Sequence, residues 1–521
     1  MIDAKEFITT YCLRTGQSIY EDVEQDIGIP SESFQIDKNK LRFSDFNGLR
    51  NGLNVINRYS REKSLRPEGP VSPSFKRRGV IEGFYGKPWT HQQRKRAMTL
   101  FAEYNMNTFI LAPKDDPWQR FDWRTPFAGE FLEKTSELVA LGKELLIEVS
   151  VCVSPGLTIT YSSEEDREAL LVRYRQLMGI GVERFGLLLD DISGDLQFDD
   201  DRARYRNISE AHADFANNLN TSLKVDRSDL TLFICPLQYH GRGNEPYIAN
   251  LGKSLSKDID LMWTGRQICS EYLDEIDAER FFKETTKRPL YWDNYPVNDV
   301  AMIHQLHVGP LEKREPNLGA YSEGLVANPM DLFEASLLPL LTVADYLWDS
   351  RNYCPENSWD LALVRLFEVE EERSALRHLF QNCFESCLAV DSAPEFGKLL
   401  GNATLAWRTG NIALAVKKLH EQGELIVKNY NLINDDSFSL PDLRREIDPW
   451  LRKYKQVGLA LFEVSKILQR ATFSNGRIVG LSGMAEEVKA IRISLAQNPT
   501  RIFGDGLDLV LGELATELSV V

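Results

Sequence analysis

Seven cysteines in 521 residues is an odd and thinly scattered set, which excludes a disulfide framework as the organising device of the chain. Cys383 and Cys387 lie four apart on an expected helix face and read as small hydrophobes rather than a redox or metal pair. No run reaches the ~18 uninterrupted apolar residues that a membrane helix needs, so no membrane partner is expected. The opening residues Met1 to Glu6 carry acids where a secretory leader needs a basic stretch and an apolar run, so a cytoplasmic location is the expectation. Positive charge is in deficit: 61 Lys and Arg stand against 77 Asp and Glu, a net charge of -16, which argues against a nucleic-acid partner. The seven histidines show no HExxH spacing, and His304 and His307 lack an obvious third ligand. A G-x-S-x-G nucleophile elbow is missing. No glycine-rich phosphate loop follows the first strand of the long apolar-patterned region, which weakens a doubly wound nucleotide-binding sheet.

What is present starts at Arg77. Short β-branched, apolar runs alternate with amphipathic stretches, predicting strands at Gly79–Phe84, Thr108–Ala112, Leu145–Val153, Arg184–Leu189, Leu230–Cys235, Asp260–Trp263, Pro289–Trp292 and Leu318–Val326. Helical patterns fall between them at His91–Tyr104, Glu130–Leu141, Glu164–Met178 and Ser209–Leu223. Eight buried strands alternating with helices over about 250 residues predict an α/β fold, a TIM-type (β/α)8 barrel. Residues 76–346 are expected to form this barrel, with 331–346 as its last helix. Residues 347–521 are expected to form an α-helical bundle, since Trp450, Tyr454, Val457, Leu461, Val464 and Leu468 recur at steps of four and three. Pro441–Arg445 and Ser474–Gly476 read as breaks between helices. Residues 1–75 are a small N-terminal segment of unassigned role, with a strand or turn at 39–46, a short helix near Leu49–Tyr59 and a proline-rich linker at Pro67–Ser74.

Nearly every expected barrel strand ends in polar residues that are costly to bury: Glu82, Lys114 to Asp116, Asp190 and Asp191, Gln238 to His240, Asp293 and Asn294, and Asn328. In a barrel these ends converge on one mouth. Two adjacent carboxylates after the apolar run Arg184 to Leu189 form the sharpest signal, an acid/base pair if the strand bends at its end. A helix cap or a metal site are the other readings. Tyr85, Trp89, Trp118, Trp123, Tyr239, Trp263, Trp292 and Tyr295 lie at or beyond strand ends, where flat rings suit pyranose faces or simply pack the rim.

The run Gly79 to Trp89 (GVIEGFYGKPW) resembles the opening motif of glycoside hydrolase family 84, the O-GlcNAcases and related bacterial β-N-acetylglucosaminidases. Ala112 to Asp116 (APKDD) with Arg120, Trp123 and Arg124, then Leu187 to Ile192 (LLLDDI), Cys235 to Tyr239, Trp263 to Gly265, Trp292 to Asn294 with Asn298 and Asp299, and Ala327 to Pro329 follow in that family's order. The resemblance implies a retaining β-N-acetylglucosaminidase working by substrate-assisted catalysis through an oxazoline. It casts Asp190 as the group that polarises the acetamide and Asp191 as acid/base. It implies sugar-hydroxyl contacts from Gly83, Lys114, Asp299 and Asn328, and an acetamido cage of Tyr239, Trp292 and Asn294. Neither cofactor nor metal is implied. The expected partner is a GlcNAc-bearing glycoprotein or glycoside; a homodimer is one arrangement that could complete the substrate rim. The alternatives are a hyaluronidase-like or oligosaccharide hexosaminidase and a non-catalytic sugar-binding barrel. Bacterial relatives often carry a larger N-terminal α/β domain, which residues 1–75 look too short to hold.

Overall fold

The computed structural model describes residues 3–20, 22–37, 40–62, 69–389 and 393–519. The chain divides into two compact units, one of residues 1–297, 311–331 and 340–358, the other of 298–310, 332–339 and 359–521.

In the first unit, the N-terminal segment is a small α/β layer. Helices Ala4–Thr15 and Phe46–Glu62 accompany strands Val23–Gln25, Phe34–Asp37, Lys40–Phe43 and Pro70–Val71. The sheet order is Val23–Gln25, Lys40–Phe43, Phe34–Asp37, Pro70–Val71. The expected short helix is thus longer than its pattern suggested. Part of the expected linker is a strand instead, with Pro70 on the sheet edge, where a missing N–H costs no ladder bond. Pro67 and Glu68 of that linker, and Asn39, lie outside the described residues. Arg50 is fully buried and donates through Nη1 to the carbonyls of Leu145 (3.0 Å) and Leu146 (2.7 Å). It thereby satisfies acceptors left open at the end of a barrel helix.

The eight barrel strands are β1 (Arg78–Glu82), β2 (Thr108–Leu111), β3 (Glu148–Val153), β4 (Arg184–Leu188), β5 (Thr231–Cys235), β6 (Ile259–Trp263), β7 (Pro289–Asp293) and β8 (Gly324–Ala327). All pair in parallel and close, β8 beside β1 and β5 beside β6. Ile81, Ile110, Cys152, Leu188, Phe233, Met262, Leu290 and Val326 fill the interior. Helices cover the other face, so the strands are apolar on both sides and read as runs rather than alternations. Most strand bounds hold or shift by one or two residues, and two starts shift further. Leu145 is the last residue of helix Gly129–Leu145, and Leu146 at φ 55° ends it before β3 begins. Leu318–Tyr321 is a 3-10 turn, and β8 starts only at Gly324.

The second unit is helical, with long helices Ile412–Asn434 and Asp448–Gln469 at its centre. All six residues of the expected stripe from Trp450 to Leu468 are buried. A Cβ on Gly423 would sit 2.9 Å from the Gly458 carbonyl oxygen, so the two long helices meet where neither has a side chain. Pro441 does not break a helix but starts the short helix Pro441–Glu446, at a position where its missing N–H is harmless. Ser474 to Gly476 turn a two-stranded hairpin, Thr472–Ser474 with Arg477–Val479; Asn475 and Gly476 supply the positive φ values (51° and 76°) that such a turn requires. Among the described residues no helix is long and apolar enough to cross a membrane.

Candidate active site

Asp190 and Asp191 follow directly on β4. Asp191 has φ 56°, a left-handed conformation uncommon for a residue with a side chain. That local turn supplies the bend which two consecutive carboxylates need. The two groups then meet different surroundings. Asp190 is buried, and its Oδ2 accepts from the buried ammonium of Lys114, which comes from the loop after β2. Burial works against the Lys114 charge, yet Asp190, reinforced by Cys235 and Asp191, holds its pKa above the ordinary lysine value. The other oxygen of Asp190, Oδ1, is buried and has no hydrogen-bond partner among the described residues. A bare buried carboxylate oxygen is expensive, and it is the strongest acceptor on offer to an incoming N–H.

Asp191 is exposed. Tyr85, beyond β1, donates its hydroxyl to Oδ2 (2.7 Å), and Tyr239, beyond β5, donates to Oδ1 (3.0 Å). Burial raises the pKa of both phenols, and Asp191 adds to this, while the Arg120 hydrogen bond opposes it at Tyr85. Both therefore remain proton donors through the neutral range. Arg120 donates to Tyr85 Oη (2.7 Å) and to the Asp191 carbonyl (3.0 Å).

A second hydrogen-bonded chain joins β1, β7 and β8. Gly83 N–H donates to Asn328 Oδ1 (3.1 Å), and Asn328 Nδ2 donates to Asn294 Oδ1 (3.0 Å). The same Asn294 oxygen accepts from Trp292 Nε1 (2.8 Å), and its Nδ2 donates to the Ile268 carbonyl (2.8 Å). Trp292 belongs to the cluster that fills the barrel, with Tyr239 against it, and the Lys114 ammonium lies 5.6 Å from its ring centroid. A Cβ on Gly83 would lie 2.4 Å from the Trp292 ring, so this glycine is required by close approach. The mouth thus unites Gly83, Lys114, Asp190, Asp191, Tyr239, Trp292, Asn294 and Asn328. Asp299 falls in the segment Asn298–Pro310, which belongs to the second unit.

Several polar strand ends serve structure instead. Glu82 is fully buried in a two-pronged pair with Arg94 (both 2.7 Å) and accepts from Trp89 N–H. Asp293 is held the same way by Arg314 (2.7 and 2.8 Å). Asp116 caps the short helix Pro117–Arg120, and Asp115 accepts from Gly86 N–H. Trp123 is buried with its Nε1 on Thr158, and Trp263 stacks on Phe281, so both pack behind the mouth. Cys383 is a buried free thiol, its pKa raised by burial. The His304 carbonyl accepts from Trp450 and Arg501, and His307 is bonded to Gln305.

A family model described as beta-N-acetylglucosaminidase matches residues 78–381, more than half of the chain and all eight barrel strands. The chain belongs to the β-N-acetylglucosaminidase family. An O-GlcNAc hydrolase of Thermobaculum terrenum is 31% identical with a TM-score of 0.78, over 85% of this chain and 95% of that one. The protein O-GlcNAcases of Rattus norvegicus and Mus musculus are each 30% identical over 280 residues, 53% of this chain. The matched stretch spans only 30% of those mammalian proteins' length. Membership fits the doubled carboxylate, the aromatic wall and the asparagine chain at the mouth. The sequence reading left two members of the constellation without a role. Tyr85 was grouped with the ring platforms, and Arg120 was noted only for its spacing. For Arg120 the signal is its place seven positions after Pro113, at the end of the short helix Pro117–Arg120.

Proposed function

We propose that this chain hydrolyses terminal β-linked N-acetylglucosamine with retention, by substrate-assisted catalysis, and that its substrate is the sugar on Ser or Thr of proteins. The observation that carries the reading is the pairing of a buried carboxylate having one unpartnered oxygen with an exposed neighbour. Asp190 Oδ1 accepts the acetamide N–H, which makes the acetamide oxygen more nucleophilic toward the anomeric carbon. The Lys114 ammonium holds the other oxygen, Oδ2, in place during this step. As the oxygen–carbon bond forms, the glycosidic bond breaks and Asp191 gives its proton to the departing oxygen. The product is an oxazolinium ion, the protonated oxazoline, whose N–H stays hydrogen-bonded to Asp190 and is kept when water reopens the ring. Asp191, now a carboxylate, takes a proton from water as that water attacks the anomeric carbon and reopens the ring. Two inversions leave the configuration retained, without the enzyme ester of the two-carboxylate scheme.

Trp292 and Asn294 wall the acetamido group beside Tyr239. Gly83, Asn328 and Lys114 contact hydroxyl groups. No step calls for a metal or cofactor. A protein substrate is supported by the printed names of the relatives, an O-GlcNAc hydrolase and two protein O-GlcNAcases, and a cytoplasmic setting suits it. The test is turnover of an aryl β-N-acetylglucosaminide, the matching aryl β-glucoside and a GlcNAc-serine peptide by the purified protein. The first and third should be cleaved and the glucoside should not, because it lacks the internal nucleophile. Equal cleavage of the glucoside would refute the mechanism, and an intact glycopeptide would refute the protein substrate.

A further inference from the structure

We infer that Arg120 is a positioning residue for the acid/base carboxylate, acting on it through the Tyr85 hydroxyl and the Asp191 backbone. The inference rests on the assignment of Asp191 as acid/base. A guanidinium has only donors, so Tyr85 Oη can only accept from Arg120 Nη1 (2.7 Å). The one proton of that phenol is then directed to Asp191 Oδ2 at 2.7 Å. The second arm, Nη2 to the Asp191 carbonyl at 3.0 Å, holds the residue whose φ is 56°. Such a conformation is unfavourable at a non-glycine residue and persists only where the surroundings over-determine it. One planar fork reaching two acceptors at fixed spacing is a task that lysine's point charge performs poorly.

The burial of Arg120 strengthens the argument. The residue is 7% exposed, yet among the described residues its hydrogen bonds go to a phenol and a carbonyl rather than to any carboxylate. A merely structural arginine at this depth is expected to pair, as Arg94 does with Glu82 and Arg314 with Asp293. The charge is instead spent at the exposed carboxylate's edge. Around Asp191 stand Tyr85 after β1, Lys114 and Arg120 after β2, Asp190 on its own strand end and Tyr239 after β5. Arg120 hydrogen-bonds both the phenol that serves the Asp191 side chain and the Asp191 backbone.

The experiment compares Arg120→Met, Arg120→Lys, Tyr85→Phe and Asp191→Ala on aryl β-N-acetylglucosaminides of graded leaving-group ability, with far-UV circular dichroism as the fold check. Asp191→Ala should lose far more on poor leaving groups than on activated ones. Arg120→Met should show the same selectivity at about 10- to 100-fold, a part of the ~10²–10⁴-fold that general acid catalysis is worth. Its KM for the activated substrate should stay unchanged. Arg120→Lys should recover part of the loss, and Tyr85→Phe, which keeps the ring, should reproduce the selectivity if Arg120→Met does not fold. Equal losses on all leaving groups in the Arg120 and Tyr85 variants, with Asp191→Ala still selective, would overturn the inference. Absence of selectivity in Asp191→Ala itself would instead remove the acid assignment beneath it.

Discussion

Adjacent side chains on an extended strand point to opposite faces, so two carboxylates in a row can share a mouth only where the backbone turns. Asp191 does this at φ 56°, and the cost is held by Arg120, Tyr85 and Tyr239. Gly83 is constrained from the opposite side, by lack of room. Gly83→Ala would place a methyl 2.4 Å from the Trp292 ring and must shift the indole that holds Asn294. Overpacking of this kind costs about 1–3 kcal/mol, so kcat/KM on an aryl β-N-acetylglucosaminide should fall by about one to two orders of magnitude. An unchanged kcat/KM would mean that Trp292 is not held where the site needs it. At this scale the sequence was most readable where a residue is chemically conspicuous: the carboxylate pair, Lys114 and Asn328. Roles set by distant partners were not readable. The hydroxyl of Tyr85 meets a carboxylate 106 residues away, and Glu82 looked like site chemistry until Arg94 was seen to claim both of its oxygens.

Among the elements, all eight strands were legible because burial on both faces writes uninterrupted apolar runs. Their starts were not, since Leu145 is equally apolar as the end of a helix and as the start of a strand. The N-terminal layer was nearly invisible: strands of two to four residues carry too few positions to show a period. The β5 end shows how an element is anchored. Leu237 N–H donates to Tyr247 Oη (3.1 Å), and that hydroxyl meets His212 Nδ1 (2.8 Å). His212 Nε2 bonds Tyr161 Oη (2.9 Å), so a fully buried imidazole braces the loop carrying Tyr239. Burial brings the His212 pKa down from 6.5 to about 3. Below pH 6.5 the unfolded chain takes up a proton that the folded one refuses. The stabilisation is complete above about pH 6.5 and is lost as pH falls toward 3, by at most about 1.4 kcal/mol per pH unit. His212→Gln should therefore be less stable than the parent at pH 7.5 but lose less on moving to pH 4.5, measured by urea unfolding. Identical losses in the two proteins would contradict a neutral buried imidazole.

For the molecule as a whole, the order of segments hides how the chain is shared out. Residues 298–310 and 332–339 leave the barrel unit and join the helical one, so the chain crosses between the two units repeatedly rather than once. Sequence periodicity cannot show this, because the crossing segments are short and their partners are far along the chain. Within the helical unit, the His304 carbonyl accepts from Trp450 and Arg501, and Val308 accepts from Trp359. The family match likewise runs past the barrel to residue 381. A net charge of -16 over such a molecule gives a neutral sugar no electrostatic guidance, so recognition of the ring must come from the mouth and its contacts. The most direct test of the account is kcat for a series of aryl β-N-acetylglucosaminides whose N-acetyl group carries zero, one, two or three fluorines. Each fluorine makes the acetamide oxygen less basic, so kcat should fall steeply along the series. A flat series, or a covalent ester of the sugar trapped on the enzyme, would contradict it.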